Sequence, residues 1–139
     1  MGCCWSRSWK KVEYGDTKPF VLPVTQGKVV KVYDGDTITV AFYMNGTLYR
    51  TNVRLLGIDS PELKGSSEEE KKMAVAARDA LSAKILNEVV ELRNTSTEKY
   101  GRLLAEVWLD GTNLSVWMLL NNYAVPYGGG TKKAWGKQF

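Results

Sequence analysis

No histidine occurs anywhere in the 139 residues. That single absence excludes imidazole general bases, histidine-ligated zinc and Ser-His-Asp triads together. Chemistry is left to carboxylates, Arg, Lys or Tyr. Cysteine is limited to the adjacent Cys3 and Cys4, so no disulfide can staple the domain to itself and no zinc ligand set exists. The expected core is one suited to a reducing compartment. Long hydrophobic runs are missing too: no stretch of about 18 apolar residues is present, and no signal-peptide apolar segment follows the start. The expectation is a chain that neither spans a membrane nor is secreted.

A strong excess of one charge is also lacking where it would matter. The formal charge is +4, but Arg7, Lys10 and Lys11 at one end and Lys132, Lys133 and Lys137 at the other account for it. Between residues 13 and 130 there are 13 basic and 15 acidic residues, a net of −2. Bulk neutralisation of many phosphates needs a basic face; any phosphate bound here must be held by a few placed groups. What is present is apolar content of 44%, which fits one globular domain with a modest core.

Three regions are expected. Residues 1–26 form a basic N-terminal arm that opens MGCCWSRSWKK. This matches Met-Gly-x-x-x-Ser, with Gly2 available for myristoylation. One acyl chain gives only marginal membrane affinity, so palmitate on Cys3 and Cys4, with Arg7, Lys10 and Lys11 against anionic lipid, would supply the second signal. Trp5 and Trp9 suit the membrane interface. The expected location is the cytoplasmic face of a membrane, at its inner leaflet, if the arm is acylated; otherwise it is the cytoplasm, with the match fortuitous. Residues 13–26 carry Pro19 and Pro23 and read as an irregular link. Residues 27–127 form the domain, and residues 128–139 are a short Gly/Lys-rich tail.

Within the domain the patterns are β first. GKVVKVY and TITVAFYM flank Asp34-Gly35, read as a two-residue hairpin turn with positive φ, and TLYRTNVRLLGI follows an Asn45-Gly46 turn. The segment SSEEEKKMAVAARDALSAKILNE places Met73, Ala77, Ala80, Leu81 and Ile85 on one helical face, with Ser67-x-x-Glu70 as a capping box. VVELR and RLLAEVWL read as two further strands, and NLSVWMLLNN as a second, largely buried helix. Tyr33, Phe42, Trp108 and Trp117 fit core positions. Five strands with a helix between the third and fourth give the element order of an OB-fold: mainly β with α, a five-stranded Greek-key barrel with two helices.

A hairpin turn does not account for Asp36. Its natural partners lie in VRLLGIDSPE, where Asp59 and Glu62 sit at and just past a strand end. Pro61 forces Ser60 into an extended shape and frees backbone carbonyls nearby. Two carboxylates, a carbonyl and waters make a hard oxygen site suited to Ca²⁺. A third motif, EKYGRLLAEVWLDG, offers Lys99, Tyr100 and Arg102, whose planar fork can bind phosphate oxygens bidentately.

Together, Asp34-Gly35-Asp36-Thr37, Arg54-Leu55-Leu56-Gly57-Ile58-Asp59-Ser60-Pro61-Glu62 and Lys99-Tyr100-Gly101-Arg102 resemble the staphylococcal nuclease-like, or thermonuclease, family, from about Gly27 to Tyr127. The resemblance implies a Ca²⁺-dependent phosphodiesterase acting on DNA and RNA, single strands favoured, as a monomer. It implies that Asp36, Asp59 and the Ser60 main-chain carbonyl ligate calcium, with Asp34 nearby. It also implies that Glu62 activates water and that Arg54 and Arg102 grip the scissile phosphate. Lys99 and Tyr100 match residues that contact a further phosphate, and Tyr127 is the candidate for stacking on a base. The family's third, C-terminal helix is absent or vestigial here, since GGGTKKAWGKQF is short and glycine-rich. Trp135 would cap the barrel instead, and Lys132, Lys133 and Lys137 would reach substrate phosphates or remain solvated. The alternative function is a catalytically idle OB-fold module that binds nucleic acid or protein at a membrane. Retention of both arginines, both aspartates and Glu62 argues against it.

Overall fold

The computed structural model describes residues 8–127. Gly2, Cys3, Cys4, Trp5, Arg7, Trp135, the three tail lysines and the expected vestigial third helix lie outside the described residues. Two short 3-10 turns, Trp9–Lys11 and Tyr14–Asp16, precede the barrel. Three antiparallel strands follow: β1 (Gln26–Val32), β2 (Thr37–Met44) and β3 (Thr47–Leu55). After β4 (Ile58–Asp59) comes α1 (Glu68–Ile85), then β5 (Val89–Thr97), β6 (Leu103–Leu109), β7 (Thr112–Asn113), α2 (Leu114–Leu120) and β8 (Val125–Pro126).

The sheet order is β3-β2-β1-β5-β6-β7, and a parallel pairing of β3 with β6 joins its edges. That pairing, Val53 opposite Leu103 through Leu55 opposite Ala105, closes five long strands into a barrel and removes the exposed edges an open sheet would leave. Alternation drives the closure: Leu103, Ala105 and Val107 of β6 point inward. They meet Val29, Ile38, Val40, Val53 and Leu55, while Leu81, Ile85, Leu114 and Met118 of the helices plug the interior. Asn45 (φ 52°) and Gly46 (φ 79°) form the β2–β3 turn with both residues left-handed, as a two-residue hairpin with the native strand twist requires.

Several expectations are corrected. The β1–β2 connection is four residues, Tyr33 to Asp36, not a two-residue hairpin, and Gly35 is not among the positive-φ glycines. Its reason is space. A Cβ there would lie 2.8 Å from Ser60 Cβ and 2.9 Å from Ala77 Cβ. The third strand does not run to Ile58: it stops at Leu55, turns through Gly57 (φ 88°) and restarts as β4. β5 continues to Thr97 across an irregularity between Arg93 and Ser96.

The buried stripe of α1 is Ala74, Ala77, Leu81 and Ile85. It includes Ala74 in place of Met73 and Ala80, which are half-buried, and Ala77 of this stripe is the residue that lies against Gly35. Phe42 is buried and Trp117 packs against the core, whereas Trp108 is half-buried beneath the Arg93 guanidinium, 4.1 Å from its ring centre. Tyr33 is not core at all: it is 49% exposed, because its loop leaves the sheet before the alternation would turn it inward. No helix among the described residues is long and apolar enough to cross a membrane.

Candidate active site

Asp36 sits where β2 meets β3. Its carbonyl accepts from Leu55 N–H at 2.8 Å, which fixes the backbone. Its carboxylate accepts from Ser60 N–H at 3.0 Å and from Thr37 Oγ1 at 3.0 Å. Gly35 makes this possible, since only a residue without Cβ lets the loop lie against Ser60. Asp34 Oδ1 in turn accepts from Asp36 N–H at 3.1 Å.

The two acids titrate together and divide their proton unequally. Burial, then the Asp36 charge and the hydrogen bond to its carboxylate, push Asp34 up to about 7. Burial also opposes ionisation of Asp36, but the hydrogen bond from Asp34, the Arg54 guanidinium and Ser60 N–H together hold it below the usual carboxylate range.

Arg54 leaves β3 beside them. Its Nη2 lies 3.5 Å from Asp36 Oδ2 and 3.6 Å from Asp59 Oδ1, so one guanidinium faces both carboxylates. Its Nη1 donates to Leu55 O at 3.3 Å. Asp59 and Ser60 are held by the small β4–β8 ladder, in which Asp59 pairs with Val125 and Ile58 with Pro126. The same ladder brings Tyr127 in: its N–H donates to Gly57 O at 2.9 Å, and its ring centre is 5.0 Å from the Arg54 guanidinium carbon, a cation–π distance.

Arg54, Asp36, Asp59 and Ser60 are all buried. The buried carboxylates outnumber the buried cation, and taking unbalanced charge out of water is costly. The cluster therefore suits a hard divalent cation with oxygen donors. Among the described residues no three acidic, cysteine or histidine side chains converge as a ready cage. The donors that fit are the Asp36 and Asp59 carboxylates and a backbone carbonyl at Ser60, with water.

The second arginine comes from the opposite wall. In the turn between β5 and β6, Gly101 (φ 85°) donates its N–H to Glu98 O at 3.0 Å. Arg102 Nε donates to the Glu98 carboxylate and its Nη1 to Thr37 Oγ1 at 3.3 Å. Thr37 thus touches both Asp36 and Arg102, linking the two halves of the site. Lys99 and Tyr100 stand exposed at the tip of that turn, with Lys99 Nζ 5.0 Å from the Tyr100 ring centre.

Glu62 is exposed past Pro61, and its N–H donates to Glu70 Oε2 at 3.3 Å. A cleft of about 1000 Å³ is lined by Asp34, Asp36, Arg54, Glu62, Lys99, Tyr100, Arg102 and Tyr127. Asp59 and Ser60 lie beneath it. Tyr33, Lys64 and Glu98 also line the cleft.

Sequence reasoning gave no site role to Thr37, Lys64 or Glu98, placed Tyr33 in the core, and read Glu70 only as a helix cap. The Glu-x-x-x-Arg spacing of Glu98 and Arg102 was a usable signal. Nothing local reveals that Thr37 faces Arg102, because that contact spans the barrel.

The comparisons with known proteins bear on the same stretch. The family model described as staphylococcal nuclease homologue matches residues 52–136. The chain belongs to the staphylococcal nuclease family. The match takes in Arg54, Asp59, Ser60, Glu62, Arg102 and Tyr127, while Asp34 and Asp36 precede it. Similar proteins include a thermonuclease of Staphylococcus hyicus, 37% identical over 84 residues, which is 59% of this chain and 47% of that protein. Protein ParB of Escherichia coli is 34% identical over 61% of this chain and 42% of its own length. An uncharacterized endonuclease of Escherichia coli O157:H7 is 28% identical over 73% of this chain and 60% of its own. The chain thus spans about half the length of these relatives. The OB-like barrel with two helices is the fold of this staphylococcal nuclease homologue.

Proposed function

We propose that this staphylococcal nuclease homologue is a calcium-dependent nuclease that hydrolyses phosphodiester bonds of DNA and RNA, with single strands favoured, acting as a monomer. The observation that carries the reading is the convergence, at one cleft, of Arg54 with two buried carboxylates from one wall and Arg102 from the other. A phosphodiester already bears negative charge, and its transition state gathers more on the oxygens. Cationic groups fixed in advance oppose that charge without reorganising as it develops, and each such group is typically worth about 3 kcal/mol. Arg54 is held by Asp36 and Asp59 and Arg102 by Glu98 and Thr37, so both forks are oriented before substrate arrives.

Asp36, Asp59 and the Ser60 carbonyl would hold the calcium ion. Bound there, it would supply Lewis-acid neutralisation of a phosphate oxygen. Glu62 projects into the cleft and takes the proton from the attacking water; with no histidine in the chain a carboxylate is the available base. Tyr127 offers a ring beside Arg54 on which a base stacks, and Lys99 and Tyr100 meet a neighbouring phosphate.

The test is incubation of single-stranded DNA with the protein in calcium or in chelator, beside Glu62→Gln and Arg102→Ala. Expected is cleavage only with calcium, reduced by about a hundred-fold or more in each variant. Binding without cleavage in calcium would instead identify an idle binding module.

We also propose that Gly2 is myristoylated and that Cys3 and Cys4 are palmitoylated, anchoring the nuclease to an inner leaflet. The support is the Met-Gly-Cys-Cys-Trp-Ser start followed by Arg7, Lys10 and Lys11. A myristate analogue is expected to label the protein but not Gly2→Ala, and equal labelling would rule the anchor out.

A further inference from the structure

The end of the barrel opposite the cleft carries an exposed apolar surface that the proposed chemistry leaves unused. The cleft belongs to the Thr37–Arg54 end of the β2–β3 ladder, and the other end is the Met44–Thr47 turn. There the strand register sets Val89, Lys28, Ala41 and Arg50 in one row across β5, β1, β2 and β3. In the next pair outward on the same face, Tyr43 stands opposite Leu48. Tyr43 is 75% exposed, and Leu48 and Val89 are each more than half exposed. A groove of about 730 Å³ lined by Lys28, Ala41, Tyr43, Leu48 and Val89 reaches Pro23, where the N-terminal arm enters the barrel. The arm repeats the same chemistry: Trp9 is 90% and Tyr14 93% exposed, and Phe20 is also largely exposed. Lys10, Lys11 and Lys18 lie among them, against Glu13 and Asp16, so the arm is weakly basic.

We infer that the Met44–Thr47 end of the barrel docks on an anionic lipid bilayer, with the nucleic-acid cleft turned away and with the exposed rings of the arm, which enters the barrel at Pro23, as a further membrane contact. The inference goes beyond acyl anchoring, because it assigns membrane contact to the folded domain itself. Charge decides the occupant. A second copy laid on the row would bring its own Lys28 and Arg50 against these, and burying such charges is costly without paired anions. Lipid headgroups supply those anions while Tyr43, Leu48 and Val89 enter the acyl boundary. Exposed Trp and Tyr favour the headgroup level. Glu91, in the adjoining row, is held by Arg93 at 2.9 Å and does not oppose the surface.

The test uses the full chain carrying Gly2→Ala, so that no acyl chain contributes, in chelator. It is sedimented with vesicles of phosphatidylcholine alone or with about a third phosphatidylserine. Binding to the anionic vesicles only is expected. Lys28→Glu and Leu48→Glu should each weaken it by about five-fold or more, with melting temperature and single-strand cleavage unchanged. Equal or absent binding to both vesicle types, or binding unaffected by either variant, overturns the inference. So does a dimer seen by light scattering that Leu48→Glu dissociates, or oligonucleotide binding that Leu48→Glu weakens. Because vesicle binding is read without catalysis, a protein that lacks nuclease activity would still give an interpretable result.

Discussion

Gly35 carries no functional group, yet the position of Asp36 rests on it. Ser60 and Ala77 close in on the space a Cβ would need, and overpacking of this kind typically costs about 1–3 kcal/mol. Gly35→Ala is therefore expected to lower stability by that amount in urea unfolding, and to reduce cleavage further by displacing Ser60. Arg54 presents the opposite case, a charge whose loss exposes others. Removing one partner of a buried ion pair leaves the rest uncompensated, at a cost of about 3 kcal/mol or more. Arg54→Ala should show that loss in chelator and a smaller one in calcium, with denaturation midpoints as the measure. If the midpoint in chelator did not move, the buried charge balance described for Asp36 and Asp59 would be wrong. At this scale the sequence named Asp36, Asp59 and Arg54 from their motifs. It concealed why Gly35 is glycine, because the two atoms that demand it belong to residues on other elements.

The N-terminus of α1 joins secondary structure to the site. Ser67 caps the helix by accepting from Glu70 N–H at 3.1 Å, and Ser67→Ala should cost about 1 kcal/mol in unfolding. The Glu70 carboxylate turns to Glu62 N–H instead of completing a capping box, so the helix start positions the residue that faces the cleft. Glu70→Ala is expected to lower kcat roughly five-fold, the equivalent of one hydrogen bond of about 1 kcal/mol, and Glu70→Gln, which keeps an acceptor, to retain it. Equal losses in both variants would mean that charge, not the hydrogen bond, is what matters. Element boundaries were legible where the pattern had punctuation, as at Asn45-Gly46. They were not legible within Arg-Leu-Leu-Gly-Ile, where an unbroken apolar run hides the turn at Gly57. The helical face of α1 was read nearly in register, but the close approach of Ala77 to the Gly35 loop is something periodicity does not encode.

For the whole molecule, charge distribution sets how the proposed nucleic-acid substrate would be held. The cleft offers four cations, Arg54, Lys64, Lys99 and Arg102, on a domain that is otherwise slightly acidic. Binding of single strands should then depend on salt with a slope no steeper than about −3 in log–log form. A slope near twice that would mean a broad basic surface and would contradict the placed-group reading. Closure of the barrel was foreseeable from the order of strands, whereas the parallel β3–β6 seam and the small β4–β8 ladder were not, since neither joins neighbours in sequence.

That small ladder has a consequence for biosynthesis. Asp59 gains its strand partner only when Val125 has been made, and Tyr127 closes over Gly57 later still. A ribosome-bound chain therefore lacks an assembled centre until the strand at Val125 has emerged, however early the three acidic and basic motifs before it are made.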